Sequence, residues 1–176
     1  LQTDGYETVC YNLKCPGFVQ TNKRTTLGTT LQPVSEYGGP QYAIDVEMFK
    51  DNRTGNWWVY LQGTEMGYWA KELLPSLEQG AEFVDFGGEV LNLRSSGQHT
   101  STEMGSGHLP YEHFRKSSFF KNVQCLNREY TYQPPNFIRD LSEKRDCYAL
   151  EPSSDVSGPW GYFFYYGGAG RLGRCQ

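Results

Sequence analysis

One acidic residue of this sequence stands in a setting that suits acid–base chemistry. Glu89 follows two glycines and precedes a valine in the run Gly87-Gly88-Glu89-Val90. Because glycines carry no side chain, a ligand or a peptide backbone can approach the carboxyl group of Glu89 closely. A carboxyl group in such a position can take or give a proton during hydrolysis. The alternative is a bulge at a sheet edge whose glutamate faces only solvent.

Hydrolysis by carboxyl groups normally needs a second group, because one activates water while the other protonates or stabilises the developing oxyanion. Four acidic residues of the chain are candidates for this partner. Asp45 and Glu47 alternate along one predicted strand and so share a face, whereas Glu65 and Glu103 lie near glycines. Each of the four also fits a solvated strand face or loop. The sequence alone leaves the partner open.

A polar loop at residues 95–107 and the histidine that follows it gather further reactive side chains. His99, Glu103 and His108 are potential metal ligands, but the HExxH spacing that places two histidines on one helical face is absent, and we predict no metal site. Ser106 lies between two glycines, yet the Gly-x-Ser-x-Gly pattern of a nucleophile elbow is absent as well. We interpret the loop as a rim that hydrogen-bonds a substrate backbone, or as an ordered turn.

The aromatic residues have two interpretations. Most are expected in the core, because aromatic side chains dominate the interiors of β proteins. Others can line a cleft, where flat rings stack on proline or sugar rings. The candidate cleft residues, aromatic and polar together, are Trp58, Trp69, Gln98, His99, Ser101 and Tyr165.

Five cysteines bear on the compartment of the protein. Four residues separate Cys10 from Cys15, which suits a bridge across a tight turn, and Cys147 and Cys175 bracket the C-terminal segment. In a chain-entropy model these two bridges contribute roughly 2 and 3.5 kcal/mol. Cys125 is predicted to be a buried free thiol at a strand position. No second close pair of cysteines or histidines completes a zinc site. Disulfides indicate an oxidising compartment, with reduced thiols as the alternative.

Charge and hydropathy exclude two classes of partner. The 176 residues carry a net charge of −4 and contain no run of lysine or arginine, so we predict no nucleic-acid binding. No apolar stretch approaches 18 residues, so we predict no membrane span. The opening residues Leu1-Gln2-Thr3-Asp4-Gly5 are polar apart from Leu1, and no signal peptide opens the sequence. The sequence Asn52-Arg53-Thr54 is an N-glycosylation acceptor, which is consistent with secretion. We therefore predict a secreted protein of the extracellular space or cell wall, with a cytosolic protein as the alternative.

Strands and turns must position these residues. Aromatics make up 15% of the chain and 20 glycines punctuate it, which favours short strands over long helices. A hairpin turn is predicted at residues 51–56, and one helical pattern lies at residues 73–80. We predict one all-β domain, a sandwich or barrel with a minor helix. The predicted strands are residues 17–21, 27–34, 42–49, 57–62, 83–92, 119–126 and 160–166.

A series of blocks runs through the sequence, beginning with CYNLKCPGFVQTN at residues 10–22. In their order, and over nearly the whole chain, these blocks resemble the neprosin family, a secreted plant family that includes glutamic endopeptidases cleaving after proline. The remaining blocks are YGGPQY at 37–42, KD at 50–51, TGNWW at 54–58, GYW at 67–69, GGEV at 87–90, HTST at 99–102, MGSGH at 104–108, FFYYGG at 163–168 and CQ at 175–176.

The resemblance implies an antiparallel β-sandwich of two sheets with a concave substrate cleft. It also implies catalysis by two glutamates without a cofactor, one of which corresponds to Glu89. The other belongs to an NTIEAGW-like block upstream of the CYNL segment, which this sequence does not contain. We therefore expect residues 1–176 to be a catalytic domain that lacks its N-terminal strands and is inactive alone. A truncated or processed chain is favoured over a member that has lost catalysis.

Three kinds of function are compatible with these features. The first is post-proline cleavage of a proline-rich peptide or protein, with the protein's own N-terminal segment as a further partner. The second is a non-catalytic binding module for cell-wall polymers or proline-rich proteins. A structural or storage protein without an active cleft is a third possibility. Cleavage that depends on Glu89 distinguishes the first from the others.

Overall fold

A computed structural model of the chain describes residues 13–94, 97–142, 144–173 and 175. Within these residues the regular structure is short antiparallel strands and 3₁₀ turns, with no α-helix, so the prediction of an all-β fold is confirmed. No helix in this part of the chain is long and apolar enough to cross a bilayer. The strands are β1 (Phe18–Gln20), β2 (Val46–Lys50), β3 (Trp57–Leu61), β4 (Thr64–Trp69), β5 (Ser118–Phe120), β6 (Cys125–Leu126), β7 (Tyr132–Gln133), β8 (Ala149–Pro152) and β9 (Phe164–Gly167).

Contacts divide the chain into two compact units. The first comprises Leu1–Val34 and Tyr42–Val84, and the second comprises Ser35–Gln41 and Asp85–Gln176. Strands β1 to β4 lie in the first unit, and strands β5 to β9 lie in the second. The face-to-face packing of a sandwich and the single domain over residues 1–176 stay predictions.

The β2–β3 hairpin of the first unit is closed by a turn organised around Asp51. The Asp51 N–H donates to Asn56 O at 2.9 Å, and the Gly55 N–H donates to Asp51 O at 2.7 Å. The Asp51 carboxylate accepts from the Thr54 hydroxyl at 2.6 Å and from the Arg53 N–H at 3.1 Å. These two bonds, the Thr54 bond first, lower the pKa of Asp51 from its ordinary value. The predicted turn at residues 51–56 is confirmed.

Aromatic pairs hold the sheet of the first unit, whose strand order is β1-β4-β3-β2. Trp58 of β3 lies opposite Tyr68 of β4, with ring centroids 4.6 Å apart. Phe18 of β1 lies opposite Trp69, with centroids 4.7 Å apart. Such pairs contribute about 0.5–1.5 kcal/mol beyond the burial of their area. Met66 of β4 is fully buried.

The strand predictions for the first unit are partly confirmed. Predicted strands at 17–21, 42–49 and 57–62 form as the shorter β1, β2 and β3, whereas β4 was not predicted. The strand predicted at 27–34 is wrong, because that segment forms turns and bends. Gly28 lies in the left-handed region with φ of 86°, which interrupts an extended run, and Pro33 has no N–H to give to a ladder.

The helix predicted at residues 73–80 is also wrong. Two single 3₁₀ turns, Lys71–Leu73 and Pro75–Leu77, take its place. The physical reason is Pro75, whose ring disfavours the helical region for the residue before it. Leu74 accordingly has φ of −130° and ψ of 54°, which separates the two turns.

Two sheets form the second unit. One has the order β5-β9-β8, and the other pairs β6 with β7. Phe120 of β5 packs on Phe164 and Tyr166 of β9, with centroids 5.1 and 5.3 Å apart. The strand predicted at 119–126 is split into β5 and β6, because Asn122 between them has φ of 52°. The strand predicted at 160–166 forms as β9 only after Gly161, which has φ of 56°.

Disulfides form largely as predicted. Cys147 and Cys175, 28 residues apart, are bonded, and each is 2% exposed. Closing a loop of this length contributes about 3.5 kcal/mol in the chain-entropy model. Cys15 is disulfide-bonded, and Cys10 lies outside the described residues. Cys125 is a free thiol as predicted, but it is half-buried rather than buried.

The strand predicted at residues 83–92 is wrong. The segment contains no strand, and no partner strand pairs with it within the described residues. Phe83 is 87% exposed and Leu91 is 69% exposed. The apolar residues of this segment are therefore present without the sheet that normally buries them.

Candidate active site

Glu89 follows a glycine that packs tightly in the second unit. A Cβ atom on Gly88 would lie 2.6 Å from Met104 Cγ and 3.1 Å from Tyr166 Cε2. A Cβ atom on Gly87 would meet nothing within 4 Å. The backbone at Gly88 therefore lies directly against β9, and the space at Gly87 is open. This contact fixes the backbone from which the Glu89 side chain projects.

Two further contacts hold the segment on either side of Glu89. The Phe86 ring packs edge-to-face against Phe120 of β5, with centroids 6.1 Å apart. Downstream, the Asn92 side-chain oxygen accepts a hydrogen bond from the Thr100 N–H at 3.1 Å. The segment thus has anchors at residues 86, 88 and 92, although it forms no ladder.

The Glu89 side chain is presented to solvent. Glu89 and Leu91 are exposed, whereas Val90 and Asn92 are half-buried, as expected for an extended segment with one face against the protein. Among the described residues, no hydrogen bond or ion pair engages the Glu89 carboxyl group. The neighbouring Phe86 and Val90 therefore do not bury this side chain, which is open to a water molecule or a substrate.

The predicted cleft residues of the second unit lie in different environments. Gln98 and Ser101 are exposed, and the Gln98 side-chain oxygen accepts a hydrogen bond from Arg171 Nη1. Tyr165 is half-buried and stacks on His113, with centroids 5.5 Å apart. Burial raises the pKa of Tyr165.

His99, also predicted to line a cleft, is buried at 4% exposure. Its Nδ1 lies 2.9 Å from Thr100 O, and its ring packs against Tyr148. One ring nitrogen of His99 lies within 4.8 Å of both sulfur atoms of the Cys147–Cys175 disulfide. Because the two sulfurs are bonded to each other, they offer no thiolate to a metal ion.

Trp58 and Trp69, the remaining predicted cleft residues, lie in the first unit. Both are half-buried, so part of each ring is accessible. Their cross-strand partners, Tyr68 and Phe18, hold them in place. The accessible part of each ring is a flat aromatic surface, which suits stacking on a flat ligand.

The four carboxylates proposed as partners of Glu89 differ in their surroundings. Both oxygens of Glu65 accept hydrogen bonds, from the Thr21 hydroxyl at 2.7 Å and from the Tyr60 hydroxyl at 3.3 Å. Asp45 and Glu47 flank Val46 at the start of β2. Glu103 lies across Gly107, where an added Cβ would be 2.8 Å from its carboxyl carbon.

The chain as a whole matches a known protein family. The family model described as Neprosin matches residues 1–169 of the 176. The chain belongs to the neprosin family. The resemblance carried by the sequence blocks is thereby confirmed, and the neprosin family is associated with peptidase activity.

This neprosin-family chain also has a polar cluster that the sequence analysis missed. His108 Nδ1 donates to Glu112 Oε1 at 2.9 Å, and the Tyr37 hydroxyl donates to Glu112 Oε2 at 2.9 Å. The Tyr37 bond, and then the His108 bond, lower the pKa of Glu112 from its ordinary value. The spacing of His108 and Glu112 was a local signal, but Tyr37 is 75 residues from Glu112 in sequence.

A cavity of about 340 Å³ adjoins this cluster in the second unit of the neprosin-family chain. Its volume is at the lower end of those found for small-molecule sites. Its charged and polar lining is Glu103, His108, Glu112 and Asp146, with Leu109 and Leu172 among the apolar residues.

Proposed function

We propose that this neprosin-family chain is part of a secreted glutamic endopeptidase that cleaves after proline, with Glu89 as one of two catalytic carboxylates. The observation that carries the proposal is the presentation of Glu89. Its carboxyl group is exposed, while the adjoining Gly88 backbone is held against Met104 and Tyr166. A positioned and accessible carboxyl group is what general acid–base catalysis requires.

In the proposed reaction a water molecule lies between Glu89 and a second glutamate. The ionised carboxylate takes a proton from the water while the water oxygen bonds to the peptide carbonyl carbon. The protonated partner donates a hydrogen bond to the developing oxyanion and then gives its proton to the leaving nitrogen as the C–N bond breaks. Two neighbouring carboxyl groups share one proton most readily at acid pH, so we expect an acidic optimum. No cofactor takes part.

The second glutamate is expected from the NTIEAGW-like block, which this sequence does not contain. The activity is therefore proposed for the full natural protein and not for residues 1–176 alone. Its substrates are proline-rich peptides or proteins, and its N-terminal segment is a further partner. We propose Gln98 and Ser101 as exposed groups that hydrogen-bond a peptide backbone.

The test is a Glu89→Gln substitution in the full natural protein, assayed on a proline-containing peptide at acid pH. We expect hydrolysis to fall about a hundredfold to ten-thousandfold, the usual contribution of a catalytic acid or base, with an unchanged unfolding transition. Glu82→Gln is the matched control, because Glu82 is an exposed glutamate upstream of the site. It should retain full activity. Substantial hydrolysis by the Glu89 variant would remove Glu89 from this role.

A binding module is the second candidate, and the half-buried cross-strand pair of Trp58 and Tyr68 favours it. Half-buried aromatic rings can hold a proline ring or a sugar without any chemistry. The same two variants separate the candidates. A binding module predicts that the wild-type protein retains a proline-rich peptide or wall polymer without cleaving it at any pH, and that Glu89→Gln leaves this binding unchanged.

Secretion to the extracellular space or cell wall is part of the proposal. The buried Cys147–Cys175 disulfide supports it, because disulfides persist in oxidising compartments. The proposed partners include neither nucleic acid nor membrane.

A further inference from the structure

A short segment of the chain is fastened to the second unit although both of its sequence neighbours belong to the first. This segment, Ser35–Gln41, is called the strap here. The Gly38 N–H donates to Arg115 O at 2.8 Å, and Arg115 Nε donates to Gly39 O at 3.2 Å. Internal bonds shape the strap, including the Glu36 N–H to Pro40 O at 3.0 Å. The YGGPQY block thus has a structural role as an attachment.

The side chain of Tyr37 contacts the ionisable groups that take part in this attachment. Its ring packs on the His108 ring, with centroids 4.3 Å apart, and Lys116 Nζ lies 5.7 Å from its centroid. Its hydroxyl donates to Glu112 Oε2 at 2.9 Å. A hydrogen bond to an ionised acceptor is roughly twice as strong as one between neutral groups.

Glu112 is the group on which the attachment converges. Tyr37 reaches it from the strap, His108 from the preceding loop at 2.9 Å, and Lys116 adds a favourable charge from the same turn. Glu103 and Asp146 line the adjoining cavity as further carboxylates. Loss of the Glu112 charge would weaken the acceptor for the Tyr37 hydroxyl and for the His108 ring N–H.

We propose that Glu112 is an acid-sensitive latch that holds the strap on the second unit and releases it when Glu112 is protonated. The inference is independent of the peptidase proposal, because it concerns the attachment of a segment and not catalysis. It connects two blocks of the sequence, YGGPQY and MGSGH, that the proposed reaction does not use.

The direction of the pH effect follows from the lowered pKa of Glu112. Its ordinary value is 4.5, and the hydrogen bond from Tyr37 lowers it in the folded protein. A group with a depressed folded pKa contributes stability that is fully present above the unfolded value and is lost as the pH falls through the folded value. The latch is therefore closed above about pH 4.5 and opens below it.

The experiment is hydrogen–deuterium exchange on the full natural protein and its Glu112→Gln variant, compared at equal pH so that intrinsic exchange rates cancel. At pH 7 we expect strap amides, Gly38 above all, to exchange about tenfold faster in the variant, as for the loss of one charge-assisted hydrogen bond. As the pH falls well below 4.5, the wild-type rates should converge on those of the variant. The amides of Phe164–Gly167 should stay equally protected in both proteins at pH 7.

Two further variants make the result specific. Tyr37→Phe keeps the ring and removes the hydroxyl, so it should also accelerate strap exchange at pH 7. Glu151→Gln is the matched control, because Glu151 pairs with His113 at 3.4 Å and, within the described part of the chain, makes no hydrogen bond or ion pair with the strap. Its strap exchange should equal that of the wild type. The proposal is overturned if Glu112→Gln leaves strap exchange unchanged at pH 7, if it loosens β9 equally, or if the difference between the proteins persists at the lowest pH.

Discussion

At the scale of single residues, the two glycines before Glu89 have different roles. The sequence suggested that both allow a ligand to approach. In the structure the close approach at Gly88 is made by the protein's own Met104 and Tyr166, whereas Gly87 has open space beside it. Gly88 therefore positions the backbone, and only Gly87 leaves room for a substrate.

This difference predicts unequal effects of adding a methyl group. Gly88→Ala should destabilise the protein by about 1–3 kcal/mol, the usual range for overpacking, because its Cβ would lie 2.6 Å from Met104 Cγ. Gly87→Ala should change the free energy of unfolding by no more than about 0.5 kcal/mol. Denaturant unfolding of the two variants measures the difference. Equal stabilities would show that Gly88 is not tightly packed.

At the scale of elements, the turn around residues 110–116 is held in a strained conformation. His113 has φ of 60° and ψ of −157°, a region that only glycine occupies readily, and Arg115 has φ of 73°. The Ser117 hydroxyl, on a residue buried at 3% exposure, donates to Leu109 O and closes the turn. The strained backbone aims Arg115 O at the strap.

Strain at His113 can be measured by comparing two substitutions that both remove the ring. His113→Gly should be more stable than His113→Ala by about 1–3 kcal/mol, because glycine relieves the backbone strain. Phe114 lies between the two residues with positive φ and does not share that conformation. For Phe114 the order should reverse, with the alanine variant more stable by about 0.5–1 kcal/mol. Thermal or denaturant unfolding of all four variants gives both differences.

The elements that sequence patterns predicted well are those governed by local chemistry. The hairpin at residues 51–56 follows from Asp51, whose side chain and backbone form hydrogen bonds to residues within the turn. The segment at 83–92 failed because strand-forming residue types indicate a local preference for extended backbone and say nothing of whether a partner strand is present. The helix at 73–80 failed because one proline outweighed three leucines at helical spacing.

In the candidate site, too, local sequence patterns predicted some residues and long-range contacts determine others. Glu89 was singled out by the local GGEV pattern, it is exposed in the structure, and its catalytic role stays a prediction. The latch residue Glu112 was not singled out, because its partner Tyr37 is 75 residues away. Interactions of such separation depend on the tertiary fold and leave no local periodicity.

At the scale of the whole molecule, the features that concern secretion lie on different units. The disulfide Cys147–Cys175 closes the second unit, and the glycosylation acceptor Asn52 lies in the exposed hairpin turn of the first. The Thr54 hydroxyl of the acceptor sequence is ordered by its bond to Asp51. A glycan on this turn would extend into solvent.

We therefore predict N-glycosylation at Asn52 when the natural protein passes through a eukaryotic secretory pathway. Enzymatic deglycosylation should lower its intact mass, and Asn52→Gln should abolish that loss. Thr54→Ser, which preserves both the acceptor sequence and a hydroxyl beside Asp51, is the control and should remain glycosylated. A wild-type mass unaltered by deglycosylation would contradict the prediction.

The position of the strap has a consequence for synthesis on the ribosome. Tyr37 precedes its acceptor Glu112 by 75 residues. At translation rates of about 5–20 residues per second, the strap emerges roughly 4–15 s before the turn that binds it. During that interval its backbone must stay hydrated and avoid strand pairing with other nascent chains. The two glycines and the proline of Gly38-Gly39-Pro40 disfavour such pairing, since segments that form cross-β structure contain no proline and few glycines.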